Sequence, residues 1–485
     1  MLLDPRPRAL RPAPVRIGPT VPALTCLALA ALTVALLPST PAYDPWAWIV
    51  WGREIVQLDL NTTFGPSWKP LPVLFTTPFA LAGDLAPDLW LVVARATALG
   101  AVVAAYRLGA RLAGPLAGVV AGLVLALQES FFRTQGMGFS EGALVLCGLL
   151  AVERHLDGRR GQAFALSLAG GLLRPEAWPF VGLYALSLLW EAGRSAEHRA
   201  ALAALHRLPW VAGGLATMLA LWVLPELWGS GSLFRAAERA NDPNPGSPAF
   251  SAVPSLTILV DFLIALGPLG VLGLLLVPLT AGTRGAQGTP RRALTAVAAL
   301  GGSWLGLVAL MTEVGFAGNL RYLFMPLGLG AVIAGVGIAW ATAALALGRD
   351  TAAARRGVTT AAAGLAALLV AGTAAATLPR EFELLGHEAR LRDELPVAIA
   401  RAGGPEALRS CGAVITHPLL VPTVAWELKL PTAAIDLEGG APAVALRTRH
   451  KPEGAVTPSR GVLAGAPDRT VLARTPLWEV VGACR

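Results

Sequence analysis

Tyr43-Asp44-Pro45-Trp46-Ala47-Trp48, running on to Ser67-Trp68-Lys69-Pro70-Leu71-Pro72, is the stretch on which the reading of this chain turns. It opens directly after the first apolar segment and closes before the second. Asp44 is thereby set within a few residues of a bilayer surface, beside Trp46, Trp48 and Trp51 and ahead of Arg53, Glu54 and Lys69. Tryptophan and tyrosine favour the headgroup level, where charges need no function, so an interfacial belt is the plain reading. Against it stands the recurrence of charges at the ends of later apolar segments on the same side.

Composition makes the membrane setting firm. Of 485 residues 54% are hydrophobic and only 14% charged, where a soluble domain carries about 25% charged residues. The mean hydropathy is +0.59. A net charge of +8 would suit nucleic acid, but the Lys and Arg fall in short loops between apolar runs. That is the positive-inside pattern, and it excludes a nucleic-acid partner.

Residues 1–16, with Arg6, Arg8, Arg11 and Arg16, read as a cytoplasmic basic arm. The run from Ile17 to about Leu37 fits either a signal peptide cleaved after Ala42 or a retained helix; its length and the polar stretch behind it favour the helix. Further runs at about 89–105, 115–127, 141–153, 162–173, 177–190, 209–225, 255–279, 293–311, 322–345 and 358–378 bring the expected spans to about eleven. One set of alternate loops holds Arg107/Arg111, Arg154/Arg159/Arg160, Arg194/Arg199/Arg207, Arg284/Arg291/Arg292 and Arg349/Arg355/Arg356 and is assigned to the cytoplasm. The other set, including the loop 41–88, then faces outward together with a C-terminal region, 379–485.

Short bursts at 412–416, 421–428, 433–437, 470–474 and 478–481 read as strands and 384–401 as a helix, giving the tail a small α/β fold. Cys411 and Cys484 bracket it and are expected to form a disulfide in an oxidising compartment. Cys26 and Cys147 read as core residues, and no cysteine or histidine spacing suggests structural zinc. His387 and His417 read as structural residues of the tail.

Charges at the ends of membrane helices are costly and mark substrate paths, which makes each a functional candidate. Asp44 and Glu54 lie in the first outward stretch, and Glu141 opens a span after Ser140. Arg174 and Glu176 sit in a proline-containing break, and Arg321 and Tyr322 open a late span. Each has a plain alternative: capping for Asp44 and Glu141, snorkelling for Lys69 and Arg321, a local ion pair for Arg174 and Glu176. Arg95, inside a span, is read as pairing with an internal acid or approaching the inner face. A carboxylate in such a cluster can take a proton from an attacking hydroxyl, while cations hold and stabilise a phosphate leaving group.

The order of these motifs resembles the GT-C glycosyltransferases that use polyprenyl-phosphate sugars, such as aminoarabinose transferases, protein mannosyltransferases and mycobacterial wall enzymes. The matching residues are Asp44 in Tyr-Asp-Pro-Trp, Glu141 in Ser-Glu-Gly-Ala-Leu, Arg174-Pro175-Glu176, and Arg321-Tyr322. The chain departs from the pattern in lacking a double acid at Asp44 and an Asp-x-Asp metal signature.

The resemblance implies an all-α polytopic membrane domain over 17–378, with the small extracytoplasmic α/β domain behind it. It implies a hexosyl- or pentosyltransferase at the outer face of the plasma membrane, passing a sugar from a polyprenyl-phosphate donor to an envelope glycan, lipid or protein. Asp44 is the expected base with Glu141 as its acidic partner. Lys69, Arg174, Arg321 and Tyr322 are expected at the donor phosphate, and Tyr43, Trp46, Glu54, Trp68 and Glu176 along the substrates. A divalent cation is left open as a cofactor. A transporter or flippase of lipid-linked sugars is the main competitor, although the chain shows no inverted repeat. A non-enzymatic envelope scaffold would need no such constellation.

Overall fold

The computed structural model describes residues 20–194, 198–283, 286–347, 351–459, 463 and 468–484. The basic arm 1–16, Arg284 and Arg349 lie outside the described residues, as do the side chains of Arg194, Arg199, Arg207 and Arg355.

Helix α1 (Thr20–Leu36) is apolar on every side and buries only Cys26 and Ala30, as a helix facing lipid would. The stretch read as a polar loop is instead a helix, α2 (Tyr43–Val56), with every residue from Asp44 to Glu54 buried. Pro45 falls in its first turn, where a missing N–H costs nothing, and tryptophans on all sides demand burial. Helix α3 (Pro70–Phe79) starts on a proline, leaving Lys69 as an extended N-cap.

Helix α4 (Ala86–Ala113) stops at Gly114, whose φ of 89° favours glycine, and α5 (Pro115–Ala126) turns back on it. A 65° bend leads into α6 (Glu129–Gly136). There follow α7 (Glu141–Leu156), α8 (Arg160–Gly171), α9 (Trp178–Arg194), α10 (His198–Ser230) and α11 (Arg235–Ala240). Helices α12 (Pro254–Thr280), α13 (Arg291–Glu313) and α14 (Phe324–Leu347) complete the bundle. Helix α14 is its axis: a Cβ on Gly337 would stand 2.0 Å from the Gly273 carbonyl oxygen of α12, and one on Gly335 2.2 Å from that of Ala117 in α5. Backbones approach this closely only through small residues.

By length and hydropathy, six helices of the described residues can cross a membrane, or seven if the bent α5–α6 pair is one span. These six correspond to the expected spans at 89–105, 209–225, 255–279, 293–311, 322–345 and 358–378. The other five expected spans fall on α1, α5, α7, α8 and α9, of 12 to 17 residues. At 1.5 Å per residue α5, α7 and α8, of 12 to 16 residues, reach about 18–24 Å, short of a hydrocarbon core of about 30 Å, while α1 and α9 stop where the described residues do. The count of about eleven is corrected accordingly.

Helix α15 (Ala352–Arg401) runs unbroken through residues 378 and 379, so the expected domain boundary lies inside one helix. The tail then forms α16 (Gly404–Cys411), β1 (Ala413–Thr416), α17 (Val421–Glu427), β2 (Ile435–Asp436), β3 (Ala443–Thr448), β4 (Thr470–Arg474) and β5 (Trp478–Ala483). The sheet order is β2-β1-β3-β5-β4, parallel on its β2-β1-β3 side and antiparallel beyond. Residues 421–428, expected as a strand, are helical because Pro422 belongs in a helical first turn and not inside a strand. Strand β3 escaped the alternation signal because all six of its residues are buried. Cys411 is bonded to Cys484, as expected. The tail docks on α2 through Arg53, which donates to the carbonyls of Trp426 (3.1 Å), Ala425 (3.5 Å) and Leu430 (2.7 Å).

Candidate active site

At the end of the bundle that carries the tail, six charged side chains from five separate segments meet. Asp44 comes from the first turn of α2 and Lys69 from the N-cap of α3. Glu141 opens α7, where a carboxylate also suits the helix dipole. Arg174 is held extended before Pro175, as a residue preceding proline must be. Glu176 follows in the same turn, and Arg321 lies in the 3-10 turn Leu320–Leu323 leading into α14.

Glu141 is the hub. Its Oε1 accepts from Arg174 Nη2 and lies 3.4 Å from Lys69 Nζ, which also reaches Ser140 Oγ at 3.5 Å. Arg174 Nη1 stands 3.4 Å from Glu176, and its guanidinium lies over the Tyr322 ring at 4.4 Å. Arg321 Nη1 donates to Asp44 Oδ2 at 2.5 Å and lies over Phe139 at 5.4 Å. Asp44, Lys69, Glu141, Arg174 and Glu176 are all buried, Glu141 completely, while Arg321 keeps a quarter of its side chain exposed. Burial, and then the Arg174 guanidinium, push the Lys69 ammonium down from 10.5 to about 8.

Three carboxylates and three cations balance in charge, yet hydrogen bonding is incomplete. Trp48 Nε1, Glu141 Oε2, Arg174 Nε and Glu176 Oε2 are buried with no hydrogen-bond partner among the described residues. Buried polar atoms are nearly always satisfied, so four orphans within one charged cluster leave hydrogen-bonding capacity for a ligand or water, although others occur elsewhere among the described residues. Among the described residues no three His, Cys, Asp or Glu side chains stand together to hold a metal ion.

Two cavities are lined by close sequence neighbours of the cluster, Tyr43 and Phe139 in one and Leu144 and Ala177 in the other. An apolar groove of about 270 Å³ begins beneath Glu141 at Leu144 and follows α7 down to His155 and Leu156, walled by α8, α9 and α13. At its far end His155 Nδ1 and the Tyr184 hydroxyl lie 3.0 Å apart. A second cleft, of about 390 Å³, opens between the bundle and the tail, with Tyr43, Trp46 and Phe139 on the bundle side.

The structure thus gathers Asp44, Lys69, Glu141, Arg174, Glu176, Arg321 and Tyr322, and turns Tyr43 and Trp46 to the neighbouring cleft. It does not bring Glu54 or Trp68 to the cluster. Glu54 accepts from the Asn61 backbone N–H at 2.9 Å, and burial raises its pKa to about 7. Trp68 donates to the Leu221 carbonyl at 3.0 Å and packs on Trp51. Arg95 has no ion pair among the described residues; it donates to the Gly136 carbonyl and the Thr33 hydroxyl. Sequence reasoning missed Trp48, whose ring lies 5.0 Å from Lys69 Nζ, although Trp48 stood in the opening motif. It also missed Phe139, which carries no sequence signal.

No family model matches the chain, and no curated protein matches it in sequence. Solved structures do. ArnT from Cupriavidus metallidurans bound to undecaprenyl phosphate aligns with a TM-score of 0.58 at 14% identity, over 96% of this chain and 98% of that one. Its apo state aligns at 0.57 and 16% identity with the same coverage. An oligosaccharyltransferase from Archaeoglobus fulgidus covers 84% of this chain and 64% of its own at 0.41, too low to carry an argument. Over 96% of its length the chain therefore has the polytopic membrane fold of ArnT, the fold class, though not the span count, that its motif order led us to expect.

Proposed function

We propose that this protein is a membrane glycosyltransferase that moves a sugar from a polyprenyl-phosphate donor to an envelope acceptor at the outer face of the plasma membrane. The observation that carries this reading is the buried, incompletely bonded cluster around Glu141, with an apolar groove beginning one helical turn away at Leu144. A phosphate at Lys69, Arg174 and Arg321 would gain charge-assisted hydrogen bonds, and the groove beneath suits a long apolar chain. The undecaprenyl phosphate bound by ArnT, a protein of the same fold, is a ligand of that chemistry.

In the reaction, an acceptor hydroxyl attacks the anomeric carbon as the bond from that carbon to the phosphate oxygen breaks. Asp44 takes the hydroxyl proton, and polyprenyl phosphate leaves on the three cations. Asp44 is now engaged by Arg321; a bound phosphate would draw Arg321 away and release the carboxylate as base. Glu141 holds Lys69 and Arg174 in position, and Glu176 steadies Arg174. The orientation is supported by Arg107, Arg111 and Arg154, which pair with Glu153 and Asp157 at the other end of α7, an arginine-rich end that the positive-inside rule assigns to the cytoplasm. The tail and its disulfide are then extracytoplasmic.

Purified protein in lipid nanodiscs, offered radiolabelled polyprenyl-phosphate sugars and crude envelope acceptors, tests this. Asp44→Asn should retain donor binding and lose transfer by about 10²–10⁴-fold. Donor binding with no transfer by the wild type would turn the assignment to a transporter. Full transfer by Asp44→Asn would remove Asp44 from the chemistry.

A further inference from the structure

The cleft between bundle and tail is not needed to hold a phosphate or an apolar chain, and its walls have a different chemistry. On the bundle side Arg133 Nε lies 3.4 Å from Glu381, and Arg133 Nη2 3.7 Å from Glu388 of α15. The tail supplies Leu419, Thr423, His450 and Trp478. Tyr43 and Phe139 line the cleft at the end nearest the active site. Phe139 is also the ring beneath Arg321, the partner of Asp44. A molecule lying in the cleft therefore reaches Asp44 past one side chain.

We propose that this cleft is the acceptor subsite and that it takes the polyhydroxylated end of a glycan, with the tail forming the outer wall. The proposal rests on the glycosyltransferase reading and adds the acceptor class. Two cations, Arg133 and Arg392, against two carboxylates, Glu381 and Glu388, suit a neutral polyol, whose hydroxyls donate to the carboxylates and accept from the guanidiniums. A charged ligand of one sign would instead call for an excess of the other.

His450 fits the same ligand. Its Nδ1 is buried in the cleft wall with no hydrogen-bond partner among the described residues. Burial, then the neighbouring His417, Lys451, His387 and Arg133, lower its pKa to about 4. It is a neutral imidazole at physiological pH, with one nitrogen to donate and one to accept. The outer wall exists because the tail is docked: Arg53 grips three tail carbonyls, and Arg392 of α15 donates to the Ser39 carbonyl and to Asp88.

The test is binding, not turnover. Short oligosaccharides released from the cell envelope and labelled at the reducing end are titrated against nanodisc protein by fluorescence anisotropy. Leu419→Trp fills the cleft from an exposed position, and Glu388→Gln removes a charge while keeping shape. Both should weaken oligosaccharide binding about tenfold or more and leave undecaprenyl phosphate binding and melting temperature unchanged. No oligosaccharide binding by the wild type, or wild-type binding by both variants, overturns the proposal. Cleft-dependent binding without any sugar transfer would count against the glycosyltransferase reading alone. Transfer that is indifferent to both variants would count against the cleft alone.

Discussion

At its N-terminal end α7 presents Glu141 to Lys69 and Arg174, and none of the three is more than 6% exposed. At its C-terminal end the same helix presents Glu153, with Asp157 just beyond, to Arg107, Arg111 and Arg154, whose side chains are 19–38% exposed. The residue types are the same and the pairings similar: Arg107–Glu153 and Arg111–Asp157 are both 2.6 Å. Burial separates them. Ion pairs in contact with water contribute little and are freely rearranged. Buried ones bear a desolvation cost that their own attraction often fails to offset. Both ends leave some polar atoms without a hydrogen bond, Glu153 Oε2 and Arg154 Nε among them, so the difference lies in the cations: a chain that buries Lys69 and Arg174 along with Glu141 has them there for something besides stability.

That contrast can be broken in several ways. The largest expected effect is from Glu141→Ala, which takes the shared carboxylate from Lys69 and Arg174 and leaves only Glu176 beside Arg174. A buried pair broken on one side costs about 3–5 kcal/mol, to be read as a fall in melting temperature in nanodiscs together with loss of transfer. An intermediate effect is expected from pH. A lysine loses its charge as pH rises through its folded pKa, and for Lys69 that is about 8 instead of 10.5. Undecaprenyl phosphate binding should weaken by roughly tenfold between pH 7 and 9, and Lys69→Arg, whose guanidinium stays charged, should flatten the profile. The smallest effect is from Asp157→Asn at the C-terminal end, expected to change stability by about 1 kcal/mol or less and to leave binding and transfer intact. A melting shift from Asp157→Asn as large as that from Glu141→Ala would erase the distinction between the two ends.

Much of the site was legible because its members sit beside strong local signals. Asp44 and Lys69 stand in a Trp- and Pro-rich stretch, Arg174 and Glu176 flank Pro175, and Arg321 opens an apolar run. Proximity in sequence misled in one case: Glu54 is ten residues from Asp44 on the same helix, yet bonds to the Asn61 backbone. Hydropathy could not separate helices long enough to span from shorter ones such as α5 and α8, since both are apolar. Nor could it show that α2 is a helix, because a polar opening and four tryptophans in or near it read equally well as an interfacial loop. The cleft was invisible for a different reason. Arg133, Glu381 and His450 come from three distant segments, and only the docking of the tail on α2 brings them to one place.

The central claim is that the cluster around Glu141 binds a polyprenyl phosphate. The measurement that tests it most directly is undecaprenyl phosphate binding in nanodiscs by wild type, Arg174→Gln and Arg111→Gln. The account predicts tight binding by wild type and by Arg111→Gln, with binding lost in a folded Arg174→Gln protein. Equal binding by all three, or none by the wild type, would contradict it.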